Sequence, residues 1–252
     1  MSSLVVVNSK NRILNLPNTS TSKFSVNLGA TVQVSSVMIK SCTFTNVIDN
    51  VNEYNNVFSY DAGAGLVSLP AIPPAYYNID ELIALLEPLL DASVGGTNTI
   101  VKDPLTGILT FNYGAAVQTL SLSDGNLMAD ILGVIASDTG TSTSFTATGV
   151  VDMAGATQVY LLSRSLTDGA NIILKDGVRL PILTELPVLA SYGQQNYYKA
   201  QNSTLNLVKH RASNNIQEID LEIVDKDGRT VDLKGTEVVL VVKVFAARDP
   251  EI

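Results

Sequence analysis

The C-terminal stretch decides the fold: Ile219-Asp220-Leu221-Glu222-Ile223, then Asp227-Gly228, Thr230-Val231-Asp232-Leu233-Lys234, and last Val238-Val239-Leu240-Val241-Val242-Lys243-Val244-Phe245. The first run alternates apolar and acidic side chains, the pattern of a strand with one dry and one wet face. Asp-Gly between two alternating runs is a strong hairpin signal, because the turn needs residues that tolerate φ > 0. Gly235 then breaks the chain. The last run is apolar at nearly every position, which predicts a central strand buried on both faces. Such a strand needs a large sheet to receive it, and the rest of the chain must supply that sheet.

The chain has 252 residues, enough for one large core or two small ones. Its apolar fraction is 46% but its charged fraction is only 16%. Ser, Thr and Asn fill the difference, with nine Tyr and no Trp, a mixture that suits a β protein rich in turns with neutral polar surfaces. A weakly charged surface favours association. The net charge of −8, with scattered basic residues, argues against nucleic acid as a partner. Cys42 is the sole cysteine, so no intrachain disulfide forms, which suits a reducing compartment. The N-terminus lacks the basic stretch and apolar length of a signal peptide. No apolar run approaches a membrane span. The expectation is a soluble protein made in the cytosol.

Outward from the decisive stretch, a short apolar run at 4–7, alternating runs at 23–28 and 32–46, and a pair at 57–60 and 66–69 read as strands. Gly29 is expected to end the second, and a change of phase at Ser35-Ser36 predicts a bulge. The Asn-rich segment 49–56 reads as a turn. The character changes at Pro70. Asn78 or Asp80 can cap a helix whose Leu82, Ile83, Leu85, Leu86, Leu89 and Leu90 form one apolar stripe. Pro88 lies inside that pattern and is expected to kink or break the helix. Strands at 99–101 and 108–111 flank Asp103-Pro104-Leu105-Thr106-Gly107. A strand at 117–122 and a short helix at 126–132, ended by Gly133, follow. Ser137 to Thr148 is Ser, Thr and Gly with little else and reads as a linker or exposed loop. The β pattern then resumes at 158–162, 171–174, 181–188 and 205–208.

No constellation rises to an active site. His210 lies between Lys209 and Arg211, and nothing nearby in sequence orients it. A surface histidine at a strand end is the simpler reading. Cys42 falls on an apolar strand face and reads as core. One His and one Cys cannot make a zinc site. Asp225, Asp227 and Asp232 miss the spacing of a calcium loop, and the hairpin explains them better. Gly63-Ala64-Gly65 lacks the third glycine and the helix of a dinucleotide loop. Asp220 and Glu222 read as one solvated strand face. Tyr76-Tyr77 and Tyr197-Tyr198 suit protein interfaces, with one of each pair free to face the core. The chain is therefore expected to have no catalytic residues, no cofactor and no metal.

Three sets of segments together carry a resemblance. The first is Val5-Val6-Val7-Asn8-Ser9-Lys10-Asn11-Arg12 with Phe24-Ser25-Val26-Asn27-Leu28. The second is Tyr77-Asn78-Ile79-Asp80-Glu81-Leu82, then Asp103-Pro104-Leu105-Thr106-Gly107-Ile108-Leu109-Thr110 and Ile131-Leu132-Gly133. The third is Ile223-Val224-Asp225-Lys226-Asp227-Gly228 with Val231-Asp232-Leu233-Lys234-Gly235. In this order the chain resembles the penton and minor capsid proteins of virophages, polinton-like viruses and related double-jelly-roll DNA viruses. The resemblance implies a mainly β fold, a jelly-roll β-sandwich of residues 1–72 plus 145–252. A small α+β helix–hairpin–helix insertion with its linker would occupy 73–144. It implies a structural capsid protein that closes an icosahedral shell at its vertices, as a pentamer beside the major capsid protein. The expected location is the virion, after synthesis in the host cytoplasm. The alternative is a host-attachment or glycan-binding module on the virion surface.

Overall fold

The computed structural model describes residues 2–13, 20–61, 66–113, 118–119, 131–134, 141–142, 144–167, 172–173, 179–200 and 207–246. The chain is mainly β and forms two compact units, one of Met1–Ile48 with Ala156–Ile252 and one of Asp49–Gly155.

The first unit begins with β1 (Ser2–Asn8), a 3-10 turn (Ser9–Asn11) and the long β2 (Lys23–Thr45). Within the second unit the chain forms β3 (Ser59–Asp61), β4 (Leu66–Ser68), α1 (Ile79–Val94), β5 (Thr99–Lys102), β6 (Leu109–Asn112), β7 (Gln118–Thr119), β8 (Thr141–Ser142) and β9 (Ser144–Thr146). Back in the first unit come β10 (Gln158–Leu162), α2 (Arg164–Thr167), β11 (Ile172–Ile173), β12 (Arg179–Leu180), β13 (Ile182–Pro187), β14 (Gln195–Lys199), β15 (Leu207–Val224) and β16 (Val238–Ala246).

The main sheet of the first unit is antiparallel, in the order β1-β16-β2-β15-β10-β13, with β14 also on β2. Strand β2 holds it together by changing partners. Its residues 41–45 pair with β14, whereas residues 23–38 pair with β15. The β2–β15 ladder shifts twice. From Asn27 to Val32 β2 advances five residues while β15 moves two, from Glu218 to Ile216. From Val34 to Ser36 β2 moves two while β15 moves five, from Asn214 to Lys209, so the second shift cancels the first. Gly29 therefore does not end a strand. It sits in the first irregularity at φ +76°, a conformation that glycine adopts without steric cost. The bulge at Ser35 is present against β16, since Phe245 pairs with Ser36 and Ala246 with Val34. The Ser35 hydroxyl donates to the carbonyls of Phe245 (3.0 Å) and Ala246 (3.3 Å), which the skipped pairing leaves within reach.

β16 lies inside the sheet, between β1 and β2, but it is not buried on both faces. Val238, Leu240, Val242 and Val244 are buried, while Val239, Val241, Lys243 and Phe245 are half-buried. Its uniform apolar sequence conceals this alternation. The buried face joins Val7, Val37, Ile39, Phe44, Ile219, Leu221 and Ile223 in the core. The Asp-Gly turn forms as expected. Asp225 N–H donates to the Arg229 carbonyl (2.9 Å), and Gly228 sits at φ +79°. The second hairpin strand does not form beyond one bridge at Thr230. Past it, Leu233 N–H turns to the Ser22 hydroxyl (3.2 Å), and Lys234 N–H is taken by Asp232 Oδ1 (2.7 Å).

In the second unit, Asn78 caps α1 with a reciprocal capping box. Its side chain accepts from Glu81 N–H, and Glu81 accepts from Asn78 N–H, both at 2.9 Å. The helix runs through Pro88 to Val94 instead of ending before it. Leu82 and Leu86 before the proline and Leu90 after it are all buried in one core, so packing outweighs the lost hydrogen bond. β5 and β6 form the expected hairpin, and Asp103 Oδ1 accepts from Leu105 and Thr106 N–H at its turn. Part of the stretch read as a linker is instead strand. β9 pairs with β6, with Phe145 opposite Phe111 and Ala147 buried just beyond. The segment 49–72 supplies Val51, Phe58, Leu69 and Ile72 to this second core. Residues 126–130 of the expected second helix lie outside the described residues, as do 120–122 of the strand before it; Ile131 and Leu132 are helical.

Candidate functional site

The residues with chemical potential are mostly committed to structure. The Cys42 thiol is fully buried, and burial pushes its pKa up to about 12, so it stays protonated and inert. His210 lies within β15 at the second ladder shift, and its side chain lies outside the described residues. Gly63-Ala64-Gly65 also lies outside them. Among the described residues no three His, Cys, Asp or Glu side chains gather as metal ligands. Asp225 Oδ1 accepts from Asp227 (2.8 Å) and Arg229 (2.9 Å) N–H groups, which is turn-capping work.

Asp220 departs from the solvated-face reading. Its carboxylate accepts from Arg164 N–H (3.0 Å), Ser165 N–H (2.8 Å) and the Ser163 hydroxyl (3.3 Å), and so caps the short α2. Burial alone raises its pKa, but hydrogen bonding with the Ser165 side chain and the Arg164 and Ser165 N–H groups outweighs burial and holds it below the ordinary carboxylate value. Glu222 does lie at the surface, bound to Lys23 (3.1 Å) and the Thr230 hydroxyl (2.6 Å).

The tyrosine doublets each split between surface and core. Tyr76 is 39% exposed, whereas Tyr77 packs on the second core and donates its hydroxyl to the Pro73 carbonyl (2.8 Å). Tyr197 is 62% exposed, whereas Tyr198 packs on the first core.

Among the described residues two surfaces stand out as exposed. The first is the outer face of β1, β16, the end of β2 and β14. Registers place Val6, Val241, Ser41 and Lys199 in one row, and Asn8, Val239, Thr43 and Tyr197 in the next. Leu4 (66% exposed) and Val6 (64%) project from this face on β1. The strand at 4–7 was legible, but its uniformly apolar sequence does not say which parity faces out. The second is a cleft of about 470 Å³ in the second unit, lined by Tyr76, Tyr77, Lys102, Val150, Val151 and Met153 among others. Tyr77 and Asn78 already spend their polar groups on Pro73 and on the helix cap, which leaves the hollow largely apolar. Val150 (59%) lines it exposed, and Leu105 at the hairpin tip is 94% exposed.

No family model matches the sequence. No curated protein matches it either. Among solved structures, the mavirus penton protein superposes with a TM-score of 0.57 at 9% sequence identity, over 98% of this chain and 100% of that one. At that identity the likeness concerns the fold. Along essentially its whole length, this chain has the fold of the mavirus penton protein.

Proposed function

We infer that the chain is a structural protein of a virion, a penton that closes an icosahedral shell at its vertices. The observation that carries this reading is a fold shared end to end with a penton protein. The ordered penton-like segments of the sequence point the same way. In this reading the first unit is a jelly-roll β-sandwich and 49–155 is its insertion. The change of partner along β2, from β14 to β15, supports two sheets sharing one long strand. The protein works as a homo-pentamer beside the major capsid protein, in the virion, after synthesis in the host cytoplasm. It has no catalytic role. The spent carboxylates and buried thiol support that part. A density map of the assembled particle tests the reading. This fold at the fivefold vertices is the expected result, and its presence only on facets or fibres overturns it.

The cleft of the second unit favours a second role, attachment to a host glycan. A half-exposed tyrosine beside Lys102 in a shallow hollow is a surface on which a sugar ring can stack. Binding of the wild-type chain to a glycan array, lost in Tyr76→Ala, is the expected result; no binding sets this role aside.

A further inference from the structure

Four strands, β1-β16-β2-β14, lie side by side, and among the described residues each outer strand has a partner on one side only. Such edges present rows of backbone donors and acceptors that another strand can satisfy. The far edge of the sheet is guarded: β13 follows Pro181, carries Glu185 and ends in Pro187. β1, Ser-Ser-Leu-Val-Val-Val-Asn, carries no proline and no charge, and β14 carries only Lys199. We propose that β14 of one copy pairs antiparallel with β1 of the next, so that the sheet continues from subunit to subunit. This rests on the ring-forming capsid role above and names its contact.

Three features of the molecule fit a second copy as the occupant. The first is parity. All three pairings within the set are antiparallel, so β1 and β14 run in opposite directions. The β1 of a neighbour related by rotation about an axis along the strands runs like the first β1, hence antiparallel to β14. The alternation continues unbroken, and a heterologous contact of this kind closes into a ring. The second is charge. The chain carries 24 acidic residues and a net charge of −8, which repels a second copy. Yet none of β1, β2, β14 and β16 contains an acidic residue, and this is where two copies approach without that penalty. The third is the placement of apolar surface. Tyr197 on β14 and Leu4 and Val6 on β1 are all more than 60% exposed and lie on the same face. Pairing Tyr197 with the neighbour's Val6 aligns Gln195–Lys199 with residues 8 down to 4. It sets an aromatic ring against a β-branched side chain, a favourable cross-strand pair, and lays the Lys199 stem along the neighbour's Leu4.

The test uses the full chain with Val6→Cys and Tyr197→Cys, separately and together. Within one copy the two positions are three strand spacings apart, about 14 Å. A disulfide tolerates Cα atoms roughly 7 Å apart at most, so a 6–197 bond must join two copies. The native Cys42 is buried and unreactive. Under mild oxidation at high concentration, a mixture of the two single variants is expected to give linked dimers, neither single variant alone does so, and the double variant gives a ladder ending at the closed ring. The wild-type mass is read at the same concentration. Wild-type rings without a 6–197 link overturn the sheet continuation and leave the capsid reading standing. Linked chains that grow without closing support the strand contact and count against the vertex. Monomer with no link, at the highest concentration reached, also overturns the contact.

Discussion

Asn50→Ala is expected to destabilise the second unit by about 2–4 kcal/mol, the cost of leaving three part-buried backbone groups without this partner. Asn50 is 3% exposed and ties three separated segments together. Its Nδ2 donates to the carbonyls of Tyr77 (2.8 Å) and Met153 (3.2 Å), and its Oδ1 accepts from the N–H of Tyr77 (2.9 Å) and Val51 (3.0 Å). Val51 N–H retains the Ala75 carbonyl (3.2 Å) when the side chain is removed. The Tyr77 N–H and the two carbonyls lose this partner. The loss is a large share of a domain's total stability. Urea unfolding followed through the helical circular dichroism band is the assay, because α1, the long helix among the described residues, belongs to this unit. A midpoint that falls at unchanged m-value is the expected signature. A variant within about 1 kcal/mol of the parent refutes the reasoning, since these part-buried backbone groups then need no partner. Asn50→Asp sharpens the test. It sets a carboxylate oxygen, in place of the amide nitrogen, against two carbonyl oxygens, which raises the folded-state pKa above the ordinary value of about 3.9. A raised folded pKa means stability that is present in acid and lost as pH rises. The Asp variant is therefore expected to lie nearest the parent below about pH 4. Its deficit then widens with pH until the folded-state pKa is passed. The Ala variant shows no such pH-dependent gap.

Leu240→Ala is expected to cost about 2–5 kcal/mol, since the side chain is fully buried between Val7 and Cys42, whereas the half-buried Val241→Ala costs under about 1 kcal/mol. Equal losses in urea titrations of the monomer refute one-sided burial of β16. Asp220→Ala removes the acceptor of the Arg164 and Ser165 N–H groups at the start of α2, while Ser163 still accepts from Leu166 N–H, and is expected to cost about 1–2 kcal/mol at neutral pH. Because the Asp220 pKa is held below 3.8, its contribution is complete above that value and lost as pH falls through the folded pKa. The gap between variant and parent should close in strong acid, and a gap that persists there refutes the role of the charge.

Much of the fold was legible because it is written in local terms. The alternation at 219–223, the Asp-Gly turn, the Asn78 cap with Glu81 three residues on, and the 99–111 hairpin each rest on chemistry within a few residues. The bulge at Ser35 was legible for the same reason, since a change of phase in a period-two pattern has few other causes. The helix through Pro88 was not, because the leucines that hold it gain their energy from a core assembled elsewhere. β9 was hidden by its small polar residues, with Phe145 and Ala147 on alternate positions as its only signal.

The candidate surfaces divide in the same way. The sequence by itself determined a mainly β chain with few charges, whose expected strands at 4–7, 23–28, 32–46 and 238–245 contain no acidic residue. Only the tertiary structure decided which strands are edges and which parity of β1 and β16 meets solvent. It also turned Asn50 from a turn residue into a buried clasp and Asp220 from a solvated acid into a helix cap. Side-chain alternation is a property of the strand. Edge, face and partner depend on pairings between segments far apart in the chain, and no local pattern encodes them.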